Sequence, residues 1–151
     1  MNHLTIFDEL YPTFKITKPI RLIEFFAGYG SQALALKYLG VEFQHWKICE
    51  WAVKSIQAYK DIHFSNKESH LADTMTKEEL VYCLEKLGIS SNYNEPMTKQ
   101  QIERLSETQL KTIMNNIFIT NNLVNIQQVK GCDLEITNKD KYDYILTYSF
   151  P

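Results

Sequence analysis

Two glycines and one carboxylate stand at a spacing suited to holding a nucleotide-like ligand. Gly28, Gly30 and Ala33 give G-x-G-x-x-A directly after the apolar run Arg21-Leu-Ile-Glu-Phe-Phe26. Glycine there lets the backbone turn sharply and come close to a ligand, and the helix that follows offers N–H groups at its first turn. Glu50 falls 20 residues beyond Gly30, where an acid at a strand end accepts hydrogen bonds from ribose hydroxyls. The same turn serves NAD, FAD and S-adenosylmethionine, and it also occurs as a plain connector. Spacing alone leaves an oxidoreductase and a methyltransferase both open. Cys49, Cys83 and Cys132 are widely spaced thiols without a Cys-x-x-Cys pair, a pattern of reduced cysteines with no structural zinc.

These residues need a frame. Residues 21–26 read as a buried strand, Ser31 to Leu39 as a helix stopped by Gly40, Val41 to Cys49 as a second strand, and Ala52 to Tyr59 as a second helix. Strand, helix, strand, helix opens an α/β domain. The middle is different. Thr76-Lys-Glu-Glu79, Thr98-Lys-Gln-Gln101 and Ser106-Glu-Thr-Gln109 each fit the capping box, in which a hydroxyl and a carboxylate or amide satisfy a helix start reciprocally. They predict helices over about 77–87, 99–105 and 107–118, within a helical insertion spanning 66–123. Packing is the ordinary role of such helices, and binding a protein partner is the alternative. Strands are expected again at Val124 to Val129 and at Asp143 to Tyr148.

Composition narrows the class. The 151 residues suit one domain, and 44% hydrophobic with 13% aromatic content is that of a folded chain. A formal net charge of -2 argues against a module that binds polyanions by bulk charge. The first twenty residues mix Asp8, Glu9, Lys15 and Lys18 with apolar positions, and no apolar run approaches the roughly 20 residues of a membrane span. The expectation is a soluble, cytoplasmic protein that does not engage a membrane.

Wording separates the alternatives that spacing leaves open. Glu24-Phe-Phe-Ala-Gly-Tyr-Gly30 resembles the first motif of the DNA cytosine-C5 methyltransferases, an acid and an apolar residue followed by Phe-Ala-Gly-x-Gly. Cys49-Glu50-Trp51 is similar to the second motif, and Tyr144-Ile-Leu-Thr-Tyr-Ser-Phe-Pro151 to the fourth, which runs on in that family to Pro-Cys-Gln. The resemblance covers about residues 20–62 and 126–151. It implies an α/β, Rossmann-like S-adenosylmethionine-dependent methyltransferase fold, of which this chain would hold the first strands of a mostly parallel sheet.

It also implies roles for individual residues. Phe26 would stack on the adenine of S-adenosyl-L-methionine, while Gly28 and Gly30 approach its methionine part, with Ala27, Tyr29 and Ser31 completing the turn. Glu50 would take the ribose hydroxyls and Trp51 lie beside the adenine. Asp133, in Gly131-Cys-Asp-Leu134, resembles the acid of the third motif that accepts the adenine amino group. Pro151 would shape the loop that presents the family's nucleophilic cysteine, which adds to C6 of a cytosine flipped out of double-stranded DNA. That cysteine would follow Pro151, so the chain alone is expected to be inactive: a truncated piece, or one half of a split enzyme completed by a C-terminal chain. Strand 144–148 would then be an exposed sheet edge prone to self-association.

Overall fold

The computed structural model describes residues 16–148. In chain order these form β1 (Ile20–Phe25), α1 (Ser31–Tyr38), β2 (Phe43–Cys49) and α2 (Val53–His63), then α3 (Lys77–Leu87), α4 (Lys99–Glu103) and α5 (Glu107–Ile119). Two short 3-10 turns, Ile126–Gln128 and Gly131–Leu134, lead into β3 (Asp143–Tyr148). The strands make one all-parallel sheet in the order β2-β1-β3. β1 sits in the centre because Leu22 and Ile23 point to opposite faces and both are buried, at 1% and 0% exposure, as a parallel strand covered on both sides requires. The chain leaves β1 for a neighbour on one side and returns to the other. Ligands of open α/β sheets bind beyond the carboxyl ends of strands at such a reversal, and residues 26–30 lie there.

All three capping boxes form. The hydroxyls of Thr76, Thr98 and Ser106 accept from the backbone N–H of Glu79, Gln101 and Gln109, whose side chains accept in return from the cap N–H groups. The apolar faces of α3, α4 and α5 meet one another, with Leu80, Leu84, Ile102, Leu110 and Ile113 in one cluster that also takes in Ile56 of α2. This buried surface joins the helices to the α/β part, so the inward faces of the helices are covered within the chain.

The expected strand at Val124 to Val129 does not form. A short parallel bridge pairs Ile48 with Asn122, and Leu123 N donates to Ile48 O at 2.8 Å. Val124 then has φ 62, a left-handed value that a β-branched residue rarely adopts and that no strand can contain. The chain swings off the sheet into the 3-10 turn, whose first residues are held by Asn125 Oδ1 accepting from Gln127 N. The second helix runs on to His63, past the expected end at Tyr59. β3 pairs with β1 over its whole length and occupies one edge of the sheet. Among the described residues no helix is long and apolar enough to cross a membrane, and no cluster of three or more His, Cys, Asp and Glu side chains is placed to hold a metal ion.

Candidate functional site

β1 delivers the chain to a tight turn beyond the sheet. Phe26 and Gly28 have φ 54 and 52, and Gly30 has φ 76 as the cap residue just before α1. Ala27 N reaches Cys49 O at 3.3 Å, and Gly30 N closes the turn on Ala27 O at 2.7 Å. Opposite the turn stands Glu50, 7% exposed. Its Oε2 accepts from Gly28 N at 2.9 Å and its Oε1 from Ala52 N at 2.8 Å. The backbone of Glu50 is fixed in turn by Asn122, whose Oδ1 accepts from Glu50 N (3.0 Å) and whose Nδ2 donates to Glu50 O (2.9 Å). The same Oδ1 accepts from Val124 N at 2.9 Å. An amide side chain thus does at the end of β2 what a neighbouring strand would do.

Between these parts lies a cleft of about 490 Å³, within the range of small-molecule and cofactor sites. Phe26, Trp51, Val124 and Ile126 give it apolar surface, and Glu50, Ser55, Asn125 and Gln127 polar groups. Phe26, Tyr93 and Val124, three of its lining residues, are non-glycine residues with positive φ, and strained backbone of this kind collects at ligand sites. A second groove of equal volume, between α2, α5 and the residues flanking α4, is lined by residues such as Met97, Leu105 and Ile113 and has no carboxylate or imidazole in its lining.

The chain is 32% identical over 136 residues, 89% of its length, to the orphan methyltransferase M.SssI of Spiroplasma monobiae. It spans about a third of that relative, 34% of its length. No protein-family model matches the chain. The chain is thus similar over most of its length to a methyltransferase, in line with the resemblance of its motifs to those of the DNA cytosine-C5 methyltransferases. Its three parallel strands and flanking helices are accordingly part of a Rossmann-like methyltransferase fold.

In this chain the sequence-predicted residues divide. Phe26, Gly28, Glu50 and Trp51 come together in the cleft. Ala27 is buried beneath the turn, Ser31 and Tyr29 are exposed, and Tyr29 O meets His63 Nε2 at 2.9 Å. Asp133 is not among the cleft residues. Its Oδ2 accepts from Lys130 N at 2.7 Å and closes the second 3-10 turn, a local bond of the kind short acidic side chains make in turns. The segment that reaches the cleft there is Val124 to Gln127, eight residues earlier in sequence at Asn125. Pro151 lies outside the described residues. Ser55, Tyr93, Asn122 and Asn125 escaped the sequence reading because each looks like an ordinary helix or loop residue. Asn122 alone could have been suspected, as a polar residue just before the apolar Leu123-Val124.

Beneath the turn is a buried polar chain. Glu24, 1% exposed, accepts from Ala33 N at 3.1 Å and from the Tyr59 hydroxyl at 2.5 Å, and Tyr59 OH meets His45 Nδ1 at 2.8 Å. Because the Tyr59 hydroxyl donates its hydrogen bond to Glu24, its oxygen accepts from His45 Nδ1. Burial raises the carboxyl pKa of Glu24, opposed by its bonds to Tyr59 and Ala33. Burial, then the nearby His63, Lys67 and Lys37, lowers His45 from 6.5 to about 4. His63 is lowered too, chiefly by burial.

The sign of the pH dependence follows. An unfolded imidazole takes a proton near 6.5, the folded His45 only near 4, so unfolding binds protons between these values. The stability this histidine contributes is present above pH 6.5 and is lost as pH falls towards 4; His63 acts in the same sense. Glu24 opposes them, its contribution being full below 4.5 and lost as pH rises. His45→Gln, which can still donate to Tyr59, should make the fall in the urea midpoint between pH 7 and 4.5 shallower. An equally steep fall in the variant would show that His45 does not titrate in that window.

Proposed function

We propose that this chain forms the S-adenosylmethionine-binding part of a DNA cytosine-C5 methyltransferase, with double-stranded DNA as the substrate of the whole enzyme. The observation that carries the reading is the hydrogen bonding of Glu50. An ionised carboxylate has about four lone-pair positions. Gly28 N and Ala52 N occupy two of them, so two remain for a vicinal diol such as the ribose hydroxyls. Phe26, Trp51 and Ile126 offer the apolar surface that an adenine needs. When bound, S-adenosylmethionine supplies an electrophilic methyl group on its sulfonium. The chain's own part is to hold the adenosine, orient it through Glu50 and exclude water with the aromatic side chains. Helical residues 66–123 act as an insertion that packs on α2 and carries no catalytic group.

None of the three cysteines suits the attack on C6 of cytosine. Cys49 is the one thiol in the lining, and it is buried with Sγ donating to Val124 O at 3.3 Å. Burial, with the Glu50 carboxylate beside it, pushes its pKa up to about 12, whereas a nucleophile needs thiolate near neutral pH. Cys83 packs against the helical core, and Cys132 sits in the outer 3-10 turn. On this reading none of these three thiols is the attacking nucleophile, and these residues alone are expected not to methylate DNA.

The test is thermal melting with S-adenosylhomocysteine and with NAD in separate titrations. A ligand that binds the native form alone stabilises by about 2.7 kcal/mol at a hundredfold excess over Kd. S-adenosylhomocysteine should raise the melting temperature, and NAD should not. The reverse result would make the chain a dinucleotide-binding fragment instead.

A further inference from the structure

We infer that the loop between α3 and α4 completes the cofactor cleft, with Tyr93 contacting the adenosine end of the bound molecule; this rests on the S-adenosylmethionine reading above. The loop belongs to the helical segment, yet Tyr93 and Asn94 line the same cleft as Phe26 and Glu50. Its base is stitched to the residues that follow Glu50. Ser90 pairs with Ala52 in a parallel bridge, with Ser90 N donating to Trp51 O (2.8 Å) and Val53 N to Ser90 O (2.9 Å).

The loop is built to hold one residue. Ser90 Oγ, in a side chain with no exposure, accepts from Tyr93 N (3.0 Å) and Asn92 N (3.3 Å) and donates to Glu95 O (2.7 Å). Asn92 Oδ1 accepts from Asn94 N and Glu95 N at 3.0 and 3.2 Å. These bonds sustain φ 67 at Tyr93, a conformation that an aromatic residue adopts only when its surroundings impose it. The Tyr93 hydroxyl is then tied to Ser55 Oγ in the first turn of α2 at 2.9 Å. A ring fixed at both ends, still 51% exposed, loses little freedom when a base or ribose is laid against it. Aromatic faces accept any purine by stacking, so the chemistry fits the adenosine part and makes no demand on the methionine part.

Three chains decide it: native, Tyr93→Ala and Tyr93→Phe, each titrated calorimetrically with adenosine and with S-adenosylhomocysteine. Tyr93→Ala should weaken both ligands about tenfold, the scale of losing one aromatic–base contact. Tyr93→Phe keeps the ring and should stay within about threefold. Nitration of the native chain gives a readout that needs no variant. S-adenosylhomocysteine should protect Tyr93 from tetranitromethane and leave the exposed Tyr82 of α3 unprotected. If the native chain binds S-adenosylhomocysteine while Tyr93→Ala binds it equally well, or Tyr93 is nitrated at an unchanged rate, the loop's role is refuted and the cofactor reading stands. If the native chain binds neither ligand, the cofactor reading falls and takes this inference with it.

Discussion

Gly30→Ala is expected to destabilise the chain by about 2–5 kcal/mol and to abolish cofactor binding at temperatures where the native chain still binds. Two costs add. Gly30 has φ 76, and left-handed backbone costs a residue with a Cβ roughly 1–2 kcal/mol. The new methyl would also meet His63 Nε2 at 2.2 Å and Tyr59 Cε2 at 2.7 Å. Tyr59 is wholly buried and bound to Glu24 and His45, and His63 holds Tyr29 O, so neither ring moves freely; overpacking a filled site typically costs another 1–3 kcal/mol. At roughly 2–4 °C per kcal/mol for a domain of this size, the melting temperature should fall on the order of 10 °C. Gly28→Ala is the control, because its Cβ would meet only Phe26 O at 4.0 Å and the cost is conformational. A Gly30 variant that melts no lower than the Gly28 variant would show that the turn does not press on α2 as described.

Glu50→Ala should raise the dissociation constant for S-adenosylhomocysteine by roughly ten- to a hundredfold, about 1.5–3 kcal/mol for hydrogen bonds to a charged group. The variant loses acceptors for the ligand and also leaves Gly28 N and Ala52 N without their present partner, so a melting curve must accompany the calorimetry. Glu50→Gln lessens the second effect, since one of the two backbone donors keeps its acceptor. Its amide keeps one acceptor oxygen but turns an N–H₂ towards one of those two backbone donors, and binding should weaken while the fold holds. Unchanged affinity in a folded Glu50→Ala chain would remove Glu50 from the site.

What could be read in the sequence was whatever depends on near neighbours. The Gly28–Gly30 turn follows from a strand that must stop and a helix that must start within a few residues, and the three capping boxes are complete within four residues each. Glu50 was legible because a strand end fixes its height above the sheet. The rest depends on contacts that cross the chain. Nothing local shows that Asn122 clamps a residue 72 positions away, or that Tyr93 comes back over α2 to Ser55. Asp133 lies away from the cleft lining for the opposite reason: a Gly-x-Asp has a sufficient local use, and Lys130 N provides it. The strand expected at 124–129 had the apolar residues for one, and the left-handed Val124 ended it.

The clamp at Asn122 sets an order of events. Glu50 takes its final backbone position only when a side chain from far along the sequence hydrogen-bonds to its N–H and C=O. Closing so long a loop exacts an entropy that shorter contacts escape, and contacts of large sequence separation form slowly. The three self-capped helices between them shorten the effective loop by folding locally first. A ribosome releasing this chain would therefore expose β1, the glycine turn and β2 well before the carboxylate is in register, and ligand binding should switch on late in synthesis, after Val124 has emerged.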